Sequence, residues 1–240
     1  MRILRLAFGL VVSLLLLSCA RQPPLTTAPL PMTPMAGMPE EFPVSRYQQA
    51  AAAGKPVLHV VSARSLITVI VRRGGRLARL GHDHVVASHD IAGFIALDSR
   101  QADLYVPLAT LSIDEAQLRV AAKLDTQPSA ADIAGTRQNM LEKVLEAARF
   151  PFARLRVTAN AWQPPSAQLE VVLTLHGVTR TLSVPAQIAL HDGELEASGE
   201  FSIKQTDFDI TPFSVLGGAL AVEDDLILRF DLVAVRLRHD

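Results

Sequence analysis

From Glu194 to Lys204 the chain alternates one for one, with Leu195, Ala197, Gly199, Phe201 and Ile203 on one side and Glu194, Glu196, Ser198, Glu200, Ser202 and Lys204 on the other. Successive side chains of an extended strand point to opposite faces, so this run demands one dry face and one wet face. A helix would scatter the same residues around its circumference. Comparable stretches at 57–61, 66–72, 85–97, 102–106, 152–161, 169–175, 181–190 and 220–237 are predicted strands. Gly177-Val178-Thr179 and His191-Asp192-Gly193 are short enough to join neighbouring strands as hairpins.

Three segments depart from period two. Between Ser129 or Asp132 and Ala148, the residues Leu141, Val144, Leu145 and Ala148 recur at helical spacing, Ser129 and Asp132 can cap the amino end, and Pro151 blocks continuation. Shorter helices are predicted at 114–124 and 47–53. With no repeating βαβ rhythm, the pattern describes an all-β fold, an antiparallel barrel of about eight strands with one or two inserted helices. Closure removes the sticky edges that so many apolar strands would otherwise present. A sandwich of two sheets satisfies the same periodicity.

The amino terminus carries a separate message. Arg2 and Arg5 precede an apolar run from Leu6 to Leu17, of signal-peptide length and short for a membrane span. Leu16-Leu17-Ser18-Cys19 resembles the lipobox of bacterial lipoproteins, in which the leader is cut before a cysteine that receives acyl chains. That resemblance implies a signal peptide at 1–18 and a lipid on Cys19. Ala20 resembles the residues that permit sorting to the outer membrane. Cys19 is the only cysteine, so an internal disulfide or a Cys-rich zinc module is excluded. Residues 19–46 hold prolines at 23, 24, 29, 31, 34, 39 and 43 and read as an extended tether ahead of a domain at 55–240. Met32, Met35 and Met38 fall within that tether composition.

A formal charge of −1 offers nucleic acid no general attraction, and aromatic residues at 5% leave little for base stacking. The strands' prospective inward faces are mostly Leu, Val, Ile, Ala and Gly. Such a lining serves either a packed core or a cavity matched to a hydrocarbon chain.

Gly81-His82-Asp83-His84, with His89 nearby, is the densest group of chemically versatile residues. In extended backbone His82 and His84 share a face and Asp83 opposes them. Two such imidazoles could bind zinc, nickel or copper if His89, His59 or a distant carboxylate completed the shell; otherwise they hydrogen-bond to backbone or to a ligand's headgroup. His176, beside Gly177, reads as a turn histidine. Arg72, Arg73 and Arg76 flank Gly74-Gly75 at a predicted hairpin tip. Asp207 and Asp209 are placed on one strand face. No nucleophile elbow, phosphate loop, dinucleotide fingerprint or His-Glu-x-x-His helix is present.

Phe150-Pro151 leading into the strand from Phe152, the segment Leu175-His176-Gly177-Val178-Thr179-Arg180, and the stretch from Gly199 to Phe208 and Asp209 occur in an order that resembles the YceI-like, or polyisoprenoid-binding, family of secreted bacterial proteins. The resemblance spans about residues 57–238. It implies a lipocalin-like antiparallel barrel whose lumen holds an isoprenoid chain or a related lipid such as a quinone. It implies a periplasmic binding protein, not an enzyme, with no required cofactor and no nucleic-acid partner, here held at the outer membrane through Cys19. The chain departs from the family pattern at Ser62-Ala63-Arg64-Ser65, where only Ser65 of a His-Ser pair remains. It departs again at Thr136-Arg137-Gln138-Asn139, where Arg137 lacks its usual acidic neighbour. Two rival readings stand beside this one: a metal-dependent enzyme or divalent-metal-binding protein using His82, His84 and His89, and a filled barrel serving as a structural or interaction module.

Overall fold

The computed structural model describes residues 37–237. The expected leader, Cys19 and the tether up to residue 36 lie outside the described residues. The described chain opens with helix α1 (Val44–Ala52), earlier by three residues than the sequence predicts. Tyr47 and Ala51 on α1 are buried against the barrel wall, and Tyr47 stacks on Phe94 with ring centroids 5.3 Å apart. Phe42, just upstream, meets Tyr105 edge-on.

Twelve strands follow: β1 (Val57–Val60), β2 (Leu66–Gly74), β3 (His84–Ser88), β4 (Ala92–Ala96), β5 (Gln101–Pro107), β6 (Ser112–Ile113), β7 (Phe152–Gln163), β8 (Ser166–Leu175), β9 (Val178–His191), β10 (Glu194–Lys204), β11 (Ser214–Val215) and β12 (Leu220–Arg236). Six of them make three interrupted paths, β1 with β2, β3 with β4, and β5 with β6. Each path pairs with its neighbour on both sides of its break. The run at 85–97, predicted as one strand, is thus two strands separated at 89–91.

The barrel closes through β12. Its residues pair with β10 from Asp225 to Val235, with β2 from Ala221 to Asp231, and with β1 from Ala234 to Arg236. Antiparallel pairing then runs from β1 through β4, β5, β7, β8 and β9 back to β10, an eight-stranded lipocalin-like barrel with extra strands. Ser65 bridges the break between β1 and β2. Its hydroxyl donates to the Val61 carbonyl at 2.9 Å and accepts from the Val233 N–H at 3.0 Å. Ser65 therefore joins a broken strand to the closing strand.

Two further helices lie between β6 and β7: α2 (Ala116–Ala121) and α3 (Ala130–Asn139). Ser129 and Asp132 form the expected reciprocal cap on α3, the Asp132 N–H donating to the serine hydroxyl at 3.2 Å and the Ser129 N–H to the carboxylate at 2.9 Å. The sequence predicts one helix to Ala148. Instead α3 widens into a π turn at Met140–Val144, with the Leu145 N–H reaching back to the Met140 carbonyl at 2.8 Å. Widening by one residue turns Met140, Val144 and Leu145 together toward the barrel interior. Arg137 secures α3 to the break between β5 and β6 by donating to the Leu111 and Ala109 carbonyls.

The three sequence segments that carry the family resemblance converge in space. Phe150 packs on His176 with ring centroids 4.6 Å apart, and Gly177 has φ +78°, with an added Cβ there meeting Phe150 at 2.8 Å. His176 Nδ1 lies 3.2 Å from the Phe208 carbonyl, and its Nε2 lies 3.3 Å from Glu146. The histidine is a satisfied turn residue, as its position predicts. Phe208 is fully buried in a short 3-10 turn (Gln205–Phe208), and Asp209 follows with φ +55°. Asp207 and Asp209 therefore do not share a strand face: the strand ends at Lys204, where Phe208 folds inward to seal the gap beside β9.

Candidate binding site in the barrel lumen

The inward faces of the strands do not meet. They surround a cavity of ≈ 730 Å³ whose lining is mostly aliphatic, including Ile67, Val69, Val71, Leu155, Val157, Leu195, Ala197, Leu226, Leu228 and Leu232. Ile67, Val69, Val71, Leu155, Val157, Leu226, Leu228 and Leu232 stay only partly buried, although the chain surrounds them. Their remaining exposed surface faces the cavity. At about 30 Å³ per small group, the space holds roughly 24 non-hydrogen atoms.

Period two accounts for the lining. On β10, Leu195, Ala197, Phe201 and Ile203 face inward, while Glu194, Glu196, Glu200 and Lys204 do not line the cavity. On α3, Ala131, Asp132, Gly135, Thr136 and Asn139 form one face, continued by Met140 in the π turn, and α3 packs beside β6.

Exposed lining residues mark where the cavity reaches solvent, Arg100 at one end and a mouth at the other. Leu80, at 64% exposure, and Val215, at 39%, stand at this mouth with Asp132. His82 and His84 line the same end, with ring centroids 6.2 Å apart. They face inward together while Asp83 points away, accepting hydrogen bonds from the Arg73 N–H at 2.9 Å and Arg72 Nη1 at 2.8 Å. Burial pushes the Asp83 carboxyl up, but these bonds outweigh it and hold the group below its usual range. Arg73 also donates to the Gly81 carbonyl and pairs with Asp125 at 2.9 Å.

Behind His84 stands a buried relay. His84 Nδ1 lies 2.6 Å from Asp114 Oδ2, while Asp114 Oδ1 accepts from the Val85 N–H at 3.0 Å and Arg119 Nη1 at 2.5 Å. Arg119 continues to the Asp83 carbonyl at 2.9 Å and to the Thr126 carbonyl. The Asp114 side chain is fully buried. Burial alone would raise its carboxyl, yet the bonds from His84, Val85 and Arg119 hold it below the ordinary carboxylate range. At the mouth, the Ser129 hydroxyl and N–H hold the Asp132 carboxyl low, with His82 and His84 adding to the effect. Sequence spacing could not expose the relay, because 30 residues separate His84 from Asp114 and the aspartate reads as the start of a short helix.

The three histidines expected as metal ligands have different surroundings. His84 goes to Asp114, the exposed His89 lies 2.9 Å from Glu115, and His82 Nδ1 is buried with no partner among the described residues. His59, on β1, has a buried Nδ1 that likewise finds no partner among the described residues. Among the described residues, no group of three or more His, Cys, Asp and Glu side chains is placed to hold a metal ion. At the opposite end of the cavity lie Leu97, Arg100, Gln101 and Trp162, whose Nε1 is also buried without a partner among the described residues.

The sequence pattern of the YceI-like domain family matches residues 81–234. A polyisoprenoid-binding domain from Saccharophagus degradans, implicated in plant cell wall breakdown, is similar in structure with a TM-score of 0.55 at 12% identity, covering 76% of this chain and 99% of that one. BcnA of Burkholderia cenocepacia gives a TM-score of 0.51 at 14% identity over 73% of this chain and 99% of its own. A YceI protein of Campylobacter jejuni gives a TM-score of 0.44 at 14% identity over 62% and 82% of the two chains. At these identities the likeness concerns the fold. No curated protein matches the chain.

Proposed function

The chain belongs to the YceI-like domain family, and from that membership and its open aliphatic lumen we propose that it binds and carries an isoprenoid or related apolar-chain lipid in the bacterial periplasm. The observation that carries the reading is the cavity of ≈ 730 Å³ bounded by aliphatic side chains. A 20-carbon chain fits the roughly 24-atom capacity, and transfer at about 0.8 kcal/mol per buried methylene gives about 16 kcal/mol in gross terms. Ordering the chain and losing its free motion consume part of this. Micromolar binding needs about 8 kcal/mol net, half of that gross figure. The similar Saccharophagus domain is described as polyisoprenoid-binding, which supports the choice of ligand class. Nothing in this activity makes or breaks a bond.

The reading extends to the amino terminus. Cleavage before Cys19 and its acylation would anchor the protein at the membrane, with outer-membrane sorting suggested by Ala20. Residues 20–36 would then hold the lumen near a supply of lipid. Native mass spectrometry of gently purified protein tests the carrier function, and the expected result is a one-to-one lipid adduct. A homogeneous ligand-free mass, unchanged by added C20 isoprenoid, overturns it. The mass of the mature amino-terminal peptide tests the anchor: a diacyl or triacyl cysteine at position 19 is expected, and an unmodified terminus refutes it.

A further inference from the structure

We propose that His82 and His84 form a headgroup subsite at the mouth of the lumen, selecting an uncharged terminal oxygen, a hydroxyl above all, over a phosphate ester. This rests on the carrier reading above and names the polar end of its ligand. Asp114 engages His84 Nδ1 at 2.6 Å, which leaves Nε2 as the ring nitrogen available to a ligand. The bonds from Arg119 and the Val85 N–H hold Asp114 in place, which makes it a positioning residue. His82 lines the same mouth, and its Nδ1 is buried with no partner among the described residues. The two rings stand 6.2 Å apart, centroid to centroid, at the same end of the cavity. A hydroxyl, able both to donate and to accept, suits His84 Nε2 at this mouth.

Charge argues against a phosphate. Arg73, the arginine that lines this end, is paired with Asp125 and bonded to Gly81; Arg72 is engaged by Asp83 and Arg119 by Asp114. Arg76 and Arg79 are exposed on the adjoining hairpin and do not line the cavity. Asp132 puts a carboxylate at the mouth itself. A diphosphate entering here meets the Asp132 carboxylate, whereas a neutral hydroxyl pays no ionic desolvation.

The test measures affinities of the full chain, freed of lipid, for three C20 probes: geranylgeraniol, the hydrocarbon neophytadiene and geranylgeranyl diphosphate. Wild type, His82→Ala, His84→Ala, the double variant and Trp162→Phe are compared. The alcohol is expected to bind wild type about tenfold tighter than the hydrocarbon and at least as tightly as the diphosphate. Each histidine change should weaken the alcohol about three- to tenfold. The double variant should bring it to the hydrocarbon's level, with hydrocarbon affinity kept within twofold as proof that the barrel is intact. Equal alcohol affinity in wild type and the double variant overturns the subsite. So does preference for the diphosphate, or loss of the alcohol's advantage in Trp162→Phe alone, which would place the headgroup at the opposite end. Failure of all three probes to bind wild type overturns the carrier function and the subsite with it; failure of the subsite alone leaves hydrocarbon binding in place.

Discussion

Ala197→Phe distinguishes an open lumen from a packed one by its effect on stability. Ala197 lies on β10 and lines the cavity. The exchange adds six ring carbons, about 180 Å³ at roughly 30 Å³ per group. That is about a quarter of the ≈ 730 Å³ enclosed by the barrel. In a close-packed interior, the added ring would force rotamers and backbone apart at a cost of about 1–3 kcal/mol. In this barrel it enters free space and covers aliphatic surface that is otherwise exposed to the cavity. For a domain of this size, 1 kcal/mol corresponds to about 2–4 °C in Tm. A packed core therefore predicts a loss of about 2–12 °C, whereas the open lumen predicts an unchanged or raised Tm together with weaker uptake of a C20 lipid. Thermal unfolding of lipid-free protein, followed by far-ultraviolet circular dichroism, reads the difference. A fall of 5 °C or more, by that conversion, would refute the claim of unfilled space at β10.

Asp114→Ala should cost about 3–5 kcal/mol in urea unfolding, because it leaves the buried Arg119 guanidinium without its counter-charge; a loss below about 1 kcal/mol would contradict the buried relay. Because the folded-state carboxyls of Asp114 and Asp83 are held below their unfolded value, their stabilising contribution is fully present above about pH 4 and lost as pH falls through the folded values. Wild-type urea midpoints should decline in that acid window, and Asp114→Asn should show a shallower decline. Gly177→Ala should destabilise by at least about 1–2 kcal/mol, since φ there is +78° and the new methyl meets Phe150; an unchanged midpoint would show that the Phe150 contact is not rigid. Tyr47→Phe removes a buried hydrogen bond of 2.8 Å to Asp103 and should cost about 1.5–3 kcal/mol in the same assay. In wild type the Tyr47 phenol is pushed above its usual range by burial and by Asp103, so ultraviolet titration should leave it protonated past pH 10, its ordinary value.

Alternation made most of the barrel legible, because a strand between water and an apolar interior must sort its residues by face. The method failed where both faces are covered. Val85, Val86, Ala87 and Ser88 are all buried, so the run from 85 to 97 gave no sign of the break at 89–91. Helical spacing found α3 and its cap but not the π turn, since widening a helix by one residue leaves the order of apolar residues unchanged. His176 was readable as a turn residue from Gly177 beside it. His82 and His84 were readable as a pair sharing a face, and they do share one. Their chemistry was not readable, because the Asp114–Arg119 relay is assembled by folding from a position 30 residues away. Periodicity states which side of a strand is apolar and is silent on how far the opposite wall stands. The openness of the lumen was therefore outside its reach.

The central claim is that aliphatic walls enclose room for an oily chain. A crystal structure of the protein grown with geranylgeraniol tests it most directly. The account predicts continuous tubular density along the barrel axis, ending in an oxygen between His82 and His84. Side chains from opposite walls meeting across the axis, with no elongated density between them, would contradict it.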